Sequence, residues 1–148
     1  MYEFLEYRVS DFMSRNGIVV SPNTPLEDAE RVFERHDFNL LPVVEGQRLV
    51  GVLTKLDFLK AFSFGPGRLV PHYREILEQK VGAFMMRNPM TVSPDMPLTK
   101  VLEKIVATRC RAFPVVEGDV LVGVISREDV VAALRRAAAS KATTAQRK

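Results

Sequence analysis

The chain has 148 residues, 47% of them hydrophobic and 26% charged, enough for one ordinary domain or two small interlocked halves. No apolar run approaches the ~20 residues a bilayer span requires, and Met1–Arg8 carries acids and aromatics where a secretory leader needs a basic patch and an apolar stretch. The single cysteine, Cys110, excludes an internal disulfide and fits a reducing compartment, so a cytoplasmic protein is expected. The net charge of +3 is unevenly placed: residues 135–148 hold five basic residues and no acid, and subtracting that +5 leaves −2 for the rest. A basic tail on an acidic body argues against a nucleic-acid-binding surface.

In chain order, residues 1–8 predict a short helix. Residues 9–62 predict β-α-β-β-α: a short strand Ile18–Val20 stopped by Ser21-Pro22, a helix opened by Asn23-Thr24-Pro25, two apolar runs (Leu40–Val44 and Leu49–Leu53) around Glu45-Gly46-Gln47-Arg48, and a closing helix from Lys55. Leu26, Ala29 and Phe33 recur at helical spacing, and Gly46 marks a hairpin turn. Residues 63–80 form a connector that opens on the breaker Gly65-Pro66-Gly67 and could end in a short helix over His72–Lys80. Arg68, His72, Tyr73 and Arg74 are its candidate ligand contacts, although a solvated link is the plainer expectation. Residues 81–134 then repeat the pattern, with Met90–Val92, Leu98, Val101, Leu102 and Ile105, Phe113–Val116, Val120–Ile125 and a helix from Arg127. The Ala-rich tail 135–148 extends this last helix before fraying.

The second pattern copies the first. A shift of 72 residues lays Val9–Phe62 on Val81–Leu134 without a gap. Phe12-Met13, Arg15-Asn16, Val20-Ser21-Pro22, Pro42-Val43-Val44-Glu45-Gly46, Leu49-Val50-Gly51-Val52 and Asp57 all recur. One copy is too small to bury both faces of its elements. Two copies packed face to face, with approximate twofold symmetry and equivalent loops lining a common cleft, are therefore expected.

The chemistry-bearing motif is Gly51-Val52-Leu53-Thr54-Lys55-Leu56-Asp57, echoed as Gly123-Val124-Ile125-Ser126-Arg127-Glu128-Asp129. A hydroxyl at a strand end with Asp three residues on sits beside the free N–H groups of the next helix. The carboxylate suits a ribose diol; the hydroxyl, helix N-terminus and Lys55 or Arg127 suit a phosphate. The same spacing is also a capping box, worth ~1 kcal/mol to a helix with no ligand at all. Two such motifs at equivalent places shift the balance toward binding, and both roles can coexist.

The repeat resembles the CBS domain, and the chain resembles a tandem CBS pair, or Bateman module. The resemblance rests on Phe-Met-x-Arg-Asn, Ser-Pro before the first helix, Pro-Val-Val of the second strand and Gly-h-h-(Ser/Thr)-x-x-Asp, each present in both copies over residues 9–134. It implies an α+β fold of two packed β-α-β-β-α repeats and a regulatory ligand-sensing module without catalytic activity. It also implies an adenine nucleotide (AMP, ADP, ATP or S-adenosylmethionine type) in the cleft between copies. Carried over, Asp57 and Asp129 would hold ribose, with Thr54 and Ser126 beside the phosphoribosyl group. The base would lie against Val19 and Leu41, or Thr91 and Phe113, near Pro42 and Pro114. A homodimer and an effector protein are the implied partners; no cofactor is required.

The copies differ where binding is expected: Thr91 against Val19, and Arg111 against Asn39, so their sites should be unequal. His36 and His72 lack metal-ligand partners, Cys110 replaces Phe38 and reads as a small core residue, and Met13, Met85 and Met86 read as core filling. No Walker-type loop, His-x-x-x-His or paired catalytic carboxylates occur. Two alternatives are a structural or protein-interaction module with empty sites, and a weak nucleic-acid contact through the basic tail.

Overall fold

The computed structural model describes residues 2–15, 17–63 and 72–146, with side chains through Ser140. The elements in chain order begin with α1 (Tyr2–Glu6), α2 (Val9–Phe12), α3 (Leu26–Arg35), β1 (Leu40–Glu45), β2 (Arg48–Thr54) and α4 (Lys55–Lys60). After the connector come α5 (Tyr73–Leu77), a 3₁₀ turn (Val81–Ala83), α6 (Leu98–Thr108), β3 (Ala112–Glu117), β4 (Val120–Ser126) and α7 (Arg127–Gln146).

These elements gather into two compact units that do not follow the repeat boundaries. Gly17–Pro89 make one, here the β1–β2 unit; Met1–Asn16 join Met90–Lys148 in the other, the β3–β4 unit. Each unit therefore takes the opening segment of the opposite repeat. In the β1–β2 unit, Val81 and Gly82 donate to the carbonyls of Thr24 and Pro22 (2.8 and 2.9 Å), while Leu26 donates to Gln79 (2.8 Å). In the β3–β4 unit, Val9 and Ser10 donate to Met96 and Pro94 (both 3.0 Å), while Leu98 donates to Tyr7 (3.0 Å). These are the same three bonds, displaced by 72 residues.

Each unit has its own hairpin and its own core. β1 pairs antiparallel with β2, and β3 with β4; the registers are equivalent, with the shifts at Val43/Val44 and Val115/Val116. Gly46 and Gly118 open the two-residue turns at φ of +63° and +64°, which a residue with a Cβ adopts only under strain. The β1–β2 core holds Leu26, Leu41, Val43, Leu53 and Val81; the β3–β4 core holds Val9, Leu98, Phe113, Val115 and Ile125. Alternation along the strands explains the choice, since every second residue faces the helices.

Several expectations need correction. The predicted first strands shrink to single parallel bridges, Val20↔Val43 and Val92↔Val115, because Ser-Pro follows at once and ends the pairing. Pro25 and Pro97 are the N-caps of α3 and α6, not residues inside the first turn, and neither cap has a side-chain bond. Thr24 instead accepts from the Ser21 N–H (2.9 Å), closing the turn ahead of α3. The connector is more than a solvated link over α5: Ile76 and Leu77 are buried, and the Tyr73 hydroxyl donates to Glu30 at 2.9 Å. That bond, with some desolvation, raises the Tyr73 pKa. Arg68 lies outside the described residues. The last helix runs unbroken through Gln146, so the Ala-rich tail extends it as expected.

The glycine of each Gly-h-h-(Ser/Thr)-x-x-Asp motif has a packing reason. Met86 and Val52 exchange backbone bonds of 2.8 and 3.0 Å, as do Ser14 and Val124. The crossing chain lies so close that a Cβ on Gly51 would meet the Met86 carbonyl oxygen at 2.8 Å and the Met85 sulfur at 2.9 Å. On Gly123 it would meet the Ser14 carbonyl oxygen at 2.7 Å and the Met13 sulfur at 3.0 Å. Gly51→Ala and Gly123→Ala should each destabilise by ~1–3 kcal/mol through overpacking against backbone, read as lower urea midpoints. A midpoint unchanged in both variants would contradict the close approach.

Candidate functional site

Each motif sits where a hairpin strand turns into a helix. Thr54 ends β2 in extended conformation and caps α4; its Oγ1 accepts from the Asp57 N–H at 3.1 Å. The Thr54 N–H and Oγ1 both donate to Asp57 Oδ2, at 3.0 and 2.8 Å. Ser126 repeats this at the start of α7: its N–H and Oγ donate to Asp129 Oδ2 at 2.8 and 2.9 Å, and Asp129 N–H donates back at 3.2 Å. Both are complete capping boxes. Asp57 is the one buried charged residue among those described, at 8% exposure, and Asp129 is half-buried. Among the described residues every hydrogen bond to these carboxylates goes to Oδ2, which leaves Oδ1 as an acceptor for something else.

The remaining candidates divide sharply. In the β1–β2 unit, Val19 is 39% exposed beside the bridge at Val20, whereas Leu41 is fully buried in the core and offers no surface. Pro42 is buried; its carbonyl accepts from Val20 (3.0 Å), and its register partner Val52 turns both backbone groups to Met86. A proline is tolerated there because no ladder bond needs its missing N–H. In the β3–β4 unit, Phe113 is 1% exposed and Pro114 is buried, its carbonyl accepting from Val92 (3.1 Å). Thr91 is half-buried and Arg111 exposed. The structure thus joins Thr54 with Asp57, and Ser126 with Asp129 beside the Arg111 main chain, whereas Val19 and Thr91 are placed only next to the bridges at Val20 and Val92. Leu41 and Phe113 are placed in the cores behind them.

The two basic candidates are engaged differently. Lys55 forms a surface ion pair with Asp37 at 3.7 Å, and the Asp37 side chain is wholly exposed. Arg127 instead clamps a loop: its Nε donates to the Cys110 carbonyl (3.0 Å) and its NH2 to that of Arg109, while its N–H donates to the Arg111 carbonyl (3.0 Å). Sequence reasoning missed this clamp because its acceptors are main-chain carbonyls, which no residue type announces. Among the described residues no group of three His, Cys, Asp or Glu could hold a metal, and no helix is long and apolar enough to cross a membrane.

Equivalent positions 55 and 127 should therefore respond unequally. Lys55→Met should change stability by under ~0.5 kcal/mol, as exposed pairs do. Arg127→Met strips the Cys110 and Arg109 carbonyls of their guanidinium donors, leaves the backbone bond to Arg111 in place, and should cost ~1–2 kcal/mol. Chemical denaturation of both variants measures the difference, and equal losses would show the clamp to be idle.

The CBS domain model matches residues 9–63 and 81–136, so the chain belongs to the CBS domain family. It is 33% identical over 129 residues to the uncharacterized protein MJ1225 of Methanocaldococcus jannaschii, covering 83% of this chain and 45% of that one. The MJ1225 crystal structure superposes with a TM-score of 0.75 over 84% of this chain and 46% of the other, at 31% identity. CBSX2 of Arabidopsis thaliana, solved in complex with AMP, is 28% identical with a TM-score of 0.74, covering 88% of this chain and 97% of that one. The CBS domain pair of MJ0100, solved with 5′-methylthioadenosine and S-adenosyl-L-methionine, is 26% identical with a TM-score of 0.68 over 84% and 93% of the two chains. The chain spans between 13% and 45% of the length of the first curated relatives it matches.

Proposed function

We propose that this CBS pair is a non-catalytic regulatory module that binds an adenosine-type ligand, with Asp57 and Asp129 as ribose acceptors. The observation that carries the reading is the doubled hydroxyl–Asp box in which Oδ2 is consumed by capping and Oδ1 is left over. A ribose diol needs an acceptor of that kind, held rigid at a strand–helix junction. The AMP complex of CBSX2 and the nucleoside complexes of the MJ0100 pair support the ligand class. In this reading Thr54 and Ser126 lie beside the phosphoribosyl group and Val19 or Thr91 flanks the base. Homodimerisation and a separate effector protein follow from the same family likeness.

The competing reading is a structural module in which Asp57 and Asp129 only cap helices. The complete capping geometry supports it, and stability does not separate the two readings, since each Asp→Ala variant loses ~1 kcal/mol under either. Ligand binding separates them. Thermal shift and calorimetry across AMP, ADP, ATP, S-adenosylmethionine and 5′-methylthioadenosine should find at least one ligand, and Asp57→Ala or Asp129→Ala should weaken it ~10-fold or more through loss of a charged acceptor. Silence across the panel, or affinity indifferent to both variants, would leave capping as their whole role. Sedimentation with and without ligand measures the assembly state.

A further inference from the structure

We infer that the cleft between α3 and α5 is a docking site for the basic chain end of a second copy of this protein. The cleft belongs to the β1–β2 unit, has a volume of about 170 Å³ and is lined by Glu27, Tyr73, Arg74, Leu77 and Glu78. That is smaller than small-molecule pockets of ~300–1,000 Å³ and suits the end of one long side chain. Leu77, 8% exposed, makes an apolar floor. The Tyr73 hydroxyl donates to Glu30 at 2.9 Å, which ties α5 to α3 across the opening, and the Phe62 ring backs Tyr73 at 5.3 Å between centroids. An aromatic wall over an apolar floor takes the stem and cationic head of a lysine or arginine.

The rim is acidic. α3, α5 and the residue after it carry Glu27, Asp28, Glu30, Glu34, Glu75 and Glu78 against three arginines. Arg31 pairs with Glu27 and Asp28 (3.2 and 3.6 Å), exposed contacts of little strength. Among the described residues Glu34, Glu75 and Glu78 pair with no cation. The other repeat lacks this surface: Glu27, Asp28, Glu30 and Glu34 fall on Thr99, Lys100, Leu102 and Val106. The complementary charge is at the chain end, where residues 135–148 hold five bases and no acid. Arg136 lies over the Phe12 ring (5.7 Å to its centroid), Ala137 is buried and Ser140 donates to Glu3 at 2.6 Å, so α7 is anchored to its own unit that far. The helix continues through Gln146. Lys141 is thus carried on a rod rather than an arm that folds back, with Arg147 and Lys148 next in sequence. A cleft on one copy and a chain end on another make a head-to-tail contact, which adds copies until a ring closes.

Sedimentation equilibrium of the full chain tests this at ~0.01 M and ~1 M salt, where the screening length is ~30 and ~3 Å. The mass should grow with protein concentration at low salt, and the association should weaken at least ~10-fold at high salt. Reversing the cleft (Glu27→Lys with Glu78→Lys) should abolish the growth, as should reversing the chain end (Lys141→Glu, Arg147→Glu and Lys148→Glu). A chain carrying both reversals should regain it, a result that misfolding cannot imitate. Glu103→Lys with Glu117→Lys makes the same charge change on the β3–β4 unit and should leave the growth intact. Absence of growth in the native chain, growth that survives either reversal, failure of the combined reversals to restore it, or equal loss in the control overturns the inference.

Discussion

The constraint on which the rest depends is a pair of backbone crossings. An opening segment passes over the glycine of each second hairpin strand, closing two reciprocal hydrogen bonds at Met86–Val52 and at Ser14–Val124. Only glycine leaves room for the crossing carbonyl, and the Met85 or Met13 side chain fills the space beside it. With the crossing in place, the strand's later residues are fixed in register, and Thr54 and Ser126 arrive at the helix junctions with extended backbone. The Gly-h-h-(Ser/Thr)-x-x-Asp motif is therefore two devices in series: a glycine that admits the crossing chain, and a hydroxyl–Asp box that caps the next helix.

Much of this was legible. The ungapped repeat, the Gly46 and Gly118 turns, the hairpins and the helices starting at Lys55 and Arg127 all follow from local pattern, because turn and cap chemistry are written in adjacent residues. The exchange of opening segments was not, since Ser14 meets Val124 across 110 positions with nothing in either neighbourhood naming the other. Phe-Met-x-Arg-Asn was visible as a repeated word whose methionine reads as core filling, without the partner it packs against. Its methionine packs against the motif glycine, and in the second copy its Asn88 takes φ of +54°, a conformation asparagine tolerates better than most residues.

The candidate site was legible in its centre and obscure at its edges. Thr54/Asp57 and Ser126/Asp129 fall where the spacing put them. Leu41 and Phe113 do not face outward, because the residue before each strand proline alternates onto the core face. Lys55 and Arg127 look interchangeable in sequence yet differ in what they hold: one an exposed Asp37, the other two loop carbonyls. The divergence traces to position 109, where a residue in the αL region presents its carbonyl to a guanidinium.

The exchanged segments carry a consequence for valency. A single repeat, from its opening segment to its closing helix, lacks the partner for its own motif glycine and offers its opening segment to another copy. Such a chain completes a core only as a pair, with the association cost of two separate molecules. Joining two repeats in tandem converts that encounter into an intramolecular one, at an effective concentration set by the connector of residues 63–80. Once both copies share a chain, each crossing is made by a different segment, and the two halves can drift apart in charge as Asn39 and Arg111 have done.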